Sequence, residues 1–161
     1  LVLNDVGPVV TGVSLQRIGD YLGSAPRFGD IRQAEAFVRS VCAPFGTLSD
    51  EQWRHLTVHV TRATADGGVE FAYDPGLAQP FRDMWLASGG KDVELWPLYD
   101  GIKCPTLLLR GALSDLLTHE TAVQMGERGP RARLVEVPAV GHVPPLMDAA
   151  QVAPIREFLL G

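Results

Sequence analysis

Three short apolar runs, at residues 1–4, 106–109 and 134–137, read as buried strands. The first two are nearly continuous in Leu and Val, the pattern of a parallel sheet covered on both faces. Helical spacing follows the second and third runs. Thr118 is placed to N-cap a helix reaching about Gly126, with Ala122 and Met125 on one face. Val152, Ile155 and Leu159 fall at i, i+3 and i+7, a core-facing stripe. Pro154 is tolerated there only in a first turn, so the last helix is predicted to begin near Gln151. Strand, helix, strand, helix is the grammar of an α/β fold, here three parallel strands with flanking helices.

A long insertion separates the first two strands. The predicted partition is a core of residues 1–12 and 97–161, interrupted by a helical cap over residues 13–96. A crossover needs only a dozen or more residues, so this one carries structure of its own. Ile31, Phe37, Val38 and Val41 mark one amphipathic helix. Ser49-Asp50-Glu51-Gln52 fits a capping box, opening a helix whose Trp53, Leu56, Val60 and Ala63 share a face. Further helical patterns cover about 77–87 and about 92–96, where Pro97 is expected to stop the second. Gly67-Gly68 and Ser88-Gly89-Gly90 read as turns. The strand at Leu1 resembles a central one, whose backbone groups need partners on both sides. Further chain upstream is therefore expected, and the open edge is expected to associate with a missing N-terminal half or a second copy.

Composition narrows the class. Of the 161 residues, 46% are hydrophobic and 20% charged, which excludes a disordered chain. A net charge of −5, with basic residues scattered, speaks against a nucleic-acid partner. No apolar run approaches the roughly 20 residues of a membrane span, and no signal peptide is visible, so a soluble, cytoplasmic protein is expected. Cys42 and Cys104 are too few for a disulfide framework or a four-cysteine zinc site.

Two strand ends carry candidate chemistry. The run Cys104-Pro105-Thr106-Leu107-Leu108-Leu109-Arg110-Gly111-Ala112-Leu113-Ser114-Asp115 is a strand entering a loop that presents an acid. Such strand ends are where open α/β sheets bind ligands, although Asp115 could equally cap a helix or close a turn. The next strand, through Val135-Glu136-Val137, enters a loop carrying His142. A loop histidine alone is usually structural. An acid and then an imidazole on adjacent strand ends suggest proton transfer, with the carboxylate fixing the ring's tautomer.

In this order the pair resembles the C-terminal half of a capped α/β-hydrolase. Leu1-Val2-Leu3-Asn4-Asp5-Val6-Gly7-Pro8 resembles the strand and loop leading into the cap. Gly111-Ala112-Leu113-Ser114-Asp115 resembles the acid loop and Gly141-His142-Val143-Pro144-Pro145-Leu146 the histidine loop. The resemblance implies Asp115 as the triad acid, His142 as the general base and Asp5 as the runner-up acid. It implies a hydrolase acting on an ester, lactone or carbon–carbon bond of a small molecule, with no cofactor and no metal. Leu116 and Val143, adjoining the two loops, are candidate substrate contacts or core.

One part of the family pattern is missing. The nucleophile elbow, G-x-S-x-G, is absent; Gly12-Val13-Ser14-Leu15-Gln16 has Gln where the second Gly is needed, and Ser14 reads better as a helix N-cap. The nucleophile is expected upstream of Leu1, and this chain alone is expected to be inactive. A dehalogenase or epoxide hydrolase would place an Asp there, with Tyr21 or Tyr73 acting from the cap. The rival class is a non-catalytic remnant or interaction module of the same fold. His55 and His59 form an i, i+4 pair better read as surface than as metal ligands, since Leu56 stands where a zincin needs Glu. Gly90-Lys91 ends like a phosphate loop but lacks its other residues. Cys104 and Cys42 read as small buried hydrophobes.

Overall fold

The computed structural model describes residues 1–24 and 26–161. Its strands are β1 (Val2–Asn4), β2 (Val9–Val10), β3 (Arg27–Phe28), β4 (Thr61–Ala63), β5 (Val69–Phe71), β6 (Val93–Glu94), β7 (Leu107–Gly111) and β8 (Arg133–Val137). Its helices are α1 (Gly12–Gly23), α2 (Ile31–Val41), α3 (Asp50–Val60), α4 (Ala78–Ala87), α5 (Trp96–Asp100), α6 (His119–Glu127) and α7 (Ala149–Leu160). Two compact units result: residues 1–11, 44–46 and 92–161 form the first, residues 12–43 and 47–91 the second. Against the predicted partition, the first unit also takes residues 44–46 and 92–96, and residue 12 goes to the second.

The first unit is built on a parallel sheet of order β1-β7-β8. Leu108 on β7 faces one side, with Tyr99, Leu117, Ala122, Met125 and Ala132. Leu107 and Leu109 face the other, with Val137, Val140 and the half-buried Ile155 and Phe158 of α7. Alternate side chains of a strand point to opposite faces, so the unbroken Leu run follows from a sheet covered twice. Thr118 caps α6, its hydroxyl accepting the Thr121 N–H. Arg128 pairs with Asp100 and lies over the Trp96 ring, tying the end of α6 to α5.

Two boundaries in this unit differ from expectation. Residues 93–94 are extended, not helical, because they pair with β2 in an antiparallel ribbon. Pro97 then sits in the first turn of α5, where its missing N–H costs no helical bond, and so opens a helix rather than closing one. The last helix begins at Ala149, two residues before Gln151, because the Asp148 carboxylate caps it by accepting the Gln151 N–H. Pro154 therefore lies past the first turn, inside the helix.

The second unit is helical, as its periodicity predicts, but also holds a small antiparallel sheet, β3-β5-β4, that the sequence reading missed. Phe28, Phe37 and Phe71 form its aromatic centre, with ring centroids 5.3–5.9 Å apart. The capping box forms as expected: Ser49 accepts the Gln52 N–H and Gln52 accepts the Ser49 N–H. The helix it opens stops at Val60, where Thr61 turns extended to pair with Phe71, so Ala63 is on a strand. Trp53 and Thr57, rather than Leu56, are the buried positions of α3. Gly67, Gly89 and Gly90 take positive φ in the two glycine turns. Among the described residues, no helix is long and apolar enough to cross a membrane.

The middle of β7 carries the first unit's packing. Leu108→Ala should cost about 2–5 kcal/mol, the range for emptying a fully buried Leu site, as read by urea denaturation. A loss below about 1 kcal/mol would mean this strand is not packed as described.

Candidate active site

Asp5 is the first residue past β1. Its amide still donates to Leu109 O at 2.8 Å, extending the β1–β7 ladder by one bond. There the backbone turns to φ 55°, the left-handed region that Asp enters more readily than most residues. The turn carries the carboxylate inward until none of the residue is exposed. One oxygen, Oδ1, accepts the Gly111 N–H at 3.0 Å. The other, Oδ2, accepts the Ser114 hydroxyl at 2.6 Å and lies 2.8 Å from Nδ1 of His142.

That contact sets the ring's tautomer. A carboxylate accepts, so Nδ1 carries the proton and Nε2 keeps its lone pair for a reacting group. The His142 side chain is 30% exposed while its acid partner is wholly covered. A base open to substrate, held from behind by a buried acid, is the arrangement that proton relays use.

The histidine loop is pinned from several sides. Ala112 N donates to Val137 O and Leu113 N to Val140 O, continuing the pairing of the two strand ends past β7 and β8. Gly141 N donates to Pro44 O, which accounts for residues 44–46 joining this unit. Asn4 Nδ2 holds Pro144 O at 3.0 Å, and Gln151 Oε1 of α7 accepts the Leu146 N–H. Gly111 is the crossing point: a Cβ there would stand 2.1 Å from Gly141 O. Only glycine lets the loop pass this close over the end of β7.

Behind the acid loop lies Arg110, 5% exposed although it sits in an apolar run. Its Nε donates to Leu117 O at 2.8 Å, and its other nitrogens reach Ala112 O, Ser114 O and, at 2.6 Å, Glu136 Oε1. The same Glu136 oxygen is 3.0 Å from Nδ1 of His119. The His119 hydrogen bond lowers the Glu136 pKa below the usual glutamate range, outweighing the upward push of burial, and Arg110 adds to the lowering.

The structure brings His142 together with Asp5, the runner-up acid of the sequence reading. Asp115 is an exposed residue in the bend after Ser114, while Asp5 occupies the His142 Nδ1. β7 runs to Gly111, beyond the expected Leu109, and a turn closed by Ser114 N–H on Gly111 O precedes Asp115. Asp5 and His142 leave the ends of β1 and β8, which have β7 between them. Leu116 and Val143 are half-buried, and the Leu116 N–H donates to Ser114 Oγ.

The remaining candidates stand apart from this pair. Ser14 lies buried within the first turn of α1, not ahead of it, so it is not the N-cap. His55 and His59 are exposed on α3, their ring centroids 4.1 Å apart and the rings tilted by 34°. Among the described residues no cluster of three or more His, Cys, Asp or Glu could hold a metal ion. Cys42 is half-buried and burial pushes its thiol pKa up, whereas Cys104, expected inside, is exposed. Burial, with smaller contributions from Cys42 and Tyr73, pushes the Tyr21 phenol to about 12; burial also raises that of Tyr73. Sequence reasoning missed Ser114, Gly111, Arg110 and Glu136. An arginine inside a run of leucines was the available signal for the last two.

No protein-family model matches the chain. A 3-hydroxybutyrate-oligomer hydrolase from Cupriavidus necator is 40% identical over 167 aligned positions, covering 100% of this chain and 56% of that protein. Among solved structures, a protein from Rickettsia typhi superposes with a TM-score of 0.85 at 29% identity, covering 99% of this chain and 53% of its own. An alpha/beta hydrolase from Novosphingobium aromaticivorans superposes with a TM-score of 0.80 at 31% identity, with 99% and 55% covered. The chain spans about half the length of the relatives it matches.

The Arg110–Glu136 pair supports the acid loop, and its pH dependence has a definite sign. Because folding depresses the Glu136 pKa, its contribution is complete above the usual glutamate range and is lost as pH falls through the depressed value. Glu136→Gln should therefore lower the melting temperature at neutral pH and narrow the gap between neutral and acid melting temperatures. A variant that loses as much stability under acid as the parent would remove this role from Glu136.

Proposed function

The chain has the fold of the C-terminal half of an α/β-hydrolase, and on that premise we propose that it supplies the acid and the general base of a nucleophile–His–Asp relay for ester hydrolysis. The observation that carries this reading is the 2.8 Å contact between buried Asp5 and His142 Nδ1. No G-x-S-x-G occurs in the 161 residues, so the nucleophile and the oxyanion hole would come from the part of the fold that precedes this chain in the parent protein.

In the proposed reaction, His142 Nε2 takes the proton of the nucleophile hydroxyl as its oxygen attacks the ester carbonyl. The imidazolium then gives that proton to the leaving alcohol. In the second half-reaction Nε2 takes a proton from water as its oxygen attacks the acyl carbonyl; the nucleophile's oxygen then leaves that carbon, taking the proton back from the imidazolium, and the carboxylic acid is released. Asp5 stays a carboxylate throughout, holding the ring and stabilising the imidazolium.

Kinship is what supports a substrate class. The relative that is 40% identical across the whole chain is a 3-hydroxybutyrate-oligomer hydrolase, which supports an ester of a short hydroxy acid over a lactone or a carbon–carbon bond. The inserted second unit would serve as the cap. An upstream Asp nucleophile, as in dehalogenases and epoxide hydrolases, would use the same Asp5–His142 pair but would not turn over simple esters by acyl transfer.

In the full-length parent protein, His142→Ala and Asp5→Asn should each lower kcat for a hydroxybutyrate dimer ester by about 10⁴-fold, while Asp115→Asn leaves it near the parent value. Steady-state kinetics decides this. An Asp115→Asn loss as deep as that of Asp5→Asn would reverse the acid assignment, and full activity in His142→Ala would remove the hydrolase reading. The 161-residue chain alone should show no ester turnover above that of free imidazole.

A further inference from the structure

The acid loop was singled out in the sequence for Asp115, and the Ser114 side chain beside it reaches Asp5. Ser114 is 8% exposed and its hydroxyl has three neighbours. Oγ accepts the Leu116 N–H at 3.3 Å and the Leu117 N–H at 3.1 Å. A hydroxyl has two lone pairs and one hydrogen, so with both N–H groups facing its oxygen the hydrogen is committed to the third partner. That partner is Asp5 Oδ2, at 2.6 Å, the same oxygen that holds His142 Nδ1.

Resting on the relay proposed above, we infer that Ser114 is a positioning residue for that relay, locking the rotation of the Asp5 carboxylate so that Oδ2 stays aligned with His142 Nδ1. Gly111 N–H fixes the other oxygen, Oδ1, so the two donors hold the carboxylate at both ends. Without the hydroxyl, the carboxylate keeps one backbone anchor and can pivot about its Cβ–Cγ bond. The imidazole would then lose its orientation during proton transfer, although Ser114 itself touches neither substrate nor the reacting nitrogen. Arg110 holds the Ser114 and Leu117 carbonyls from behind, so the hydroxyl is presented by a rigid turn. The Ser-Asp sequence of this loop is thereby divided: the serine turns in to the acid and the aspartate faces out.

The test is steady-state kinetics on the full-length parent with Ser114→Ala, Asp5→Asn and the double variant. A hydrogen bond to a carboxylate of this kind is worth about a tenfold to hundredfold change. Ser114→Ala should therefore lower kcat by about that factor with KM unchanged, and should cost nothing further when added to Asp5→Asn. A folded Ser114→Ala protein with parental kcat overturns the inference, as does a loss confined to KM or to melting temperature. Ser114→Cys covers the case in which the alanine variant does not fold. Its thiol nearly matches in volume but donates weakly, so the same selective loss of kcat is expected, and a parental kcat overturns the inference equally. The two readings fail separately. If Asp5→Asn retains full kcat, the relay itself is wrong; if Asp5→Asn collapses while Ser114→Ala does not, only the role of Ser114 falls.

Discussion

A carboxylate shut away from water has to find its hydrogen-bond donors inside the protein, and Asp5 finds three on three separate segments. One is a backbone amide at the end of β7, one a hydroxyl in the loop after it, one an imidazole in the loop after β8. Burying such a group without partners costs several kcal/mol, so each donor must be in place for the others to be tolerated. The first unit can be read outward from this requirement. Strand ends are brought level by the parallel register, Asn4 opposite Leu109 and Gly111 opposite Val137, and the loops beyond them close on the carboxylate.

The central strand makes this possible through two departures from its own leucine pattern. Gly111 ends β7 without a side chain, leaving room for the histidine loop to cross and an amide to meet Asp5. Arg110, one residue earlier, turns a buried charge into a bracket for the loop that carries Ser114. Its charge is matched by Glu136 on the neighbouring strand, so the bracket does not leave a lone cation inside. The leucines supply stability, while these two residues determine where the acid and the base meet.

Much of this was legible in the sequence because local chemistry decided it. The two-sided burial of β7, the Thr118 cap and the Ser49–Gln52 capping box are each settled within a few residues of chain. The His142 loop was also legible, not from the histidine alone but from an acid and then an imidazole following successive strand runs. What escaped was settled by partners far along the chain. Asp5 and Asp115 both follow strands, and the placement of Asp5 against His142 Nδ1 appears only once the loops beyond β1 and β8 are folded together. Residues 93–94 looked helical until β2 paired with them, and Pro97 reads as a stop or a start depending on that pairing. The sheet β3-β5-β4 has strands of two or three residues, too short for an alternating pattern to register.

The central claim is that Asp5 holds the Nδ1 proton of His142, and the imidazole's own nuclear magnetic resonance reports on it directly. In the full-length protein with ¹⁵N-labelled histidine, the account predicts that the neutral His142 ring carries its proton on Nδ1. That proton's downfield signal should vanish in Asp5→Ala and persist in Asp115→Ala. A ring protonated on Nε2, or a signal that survives loss of Asp5 and disappears with Asp115, would contradict it.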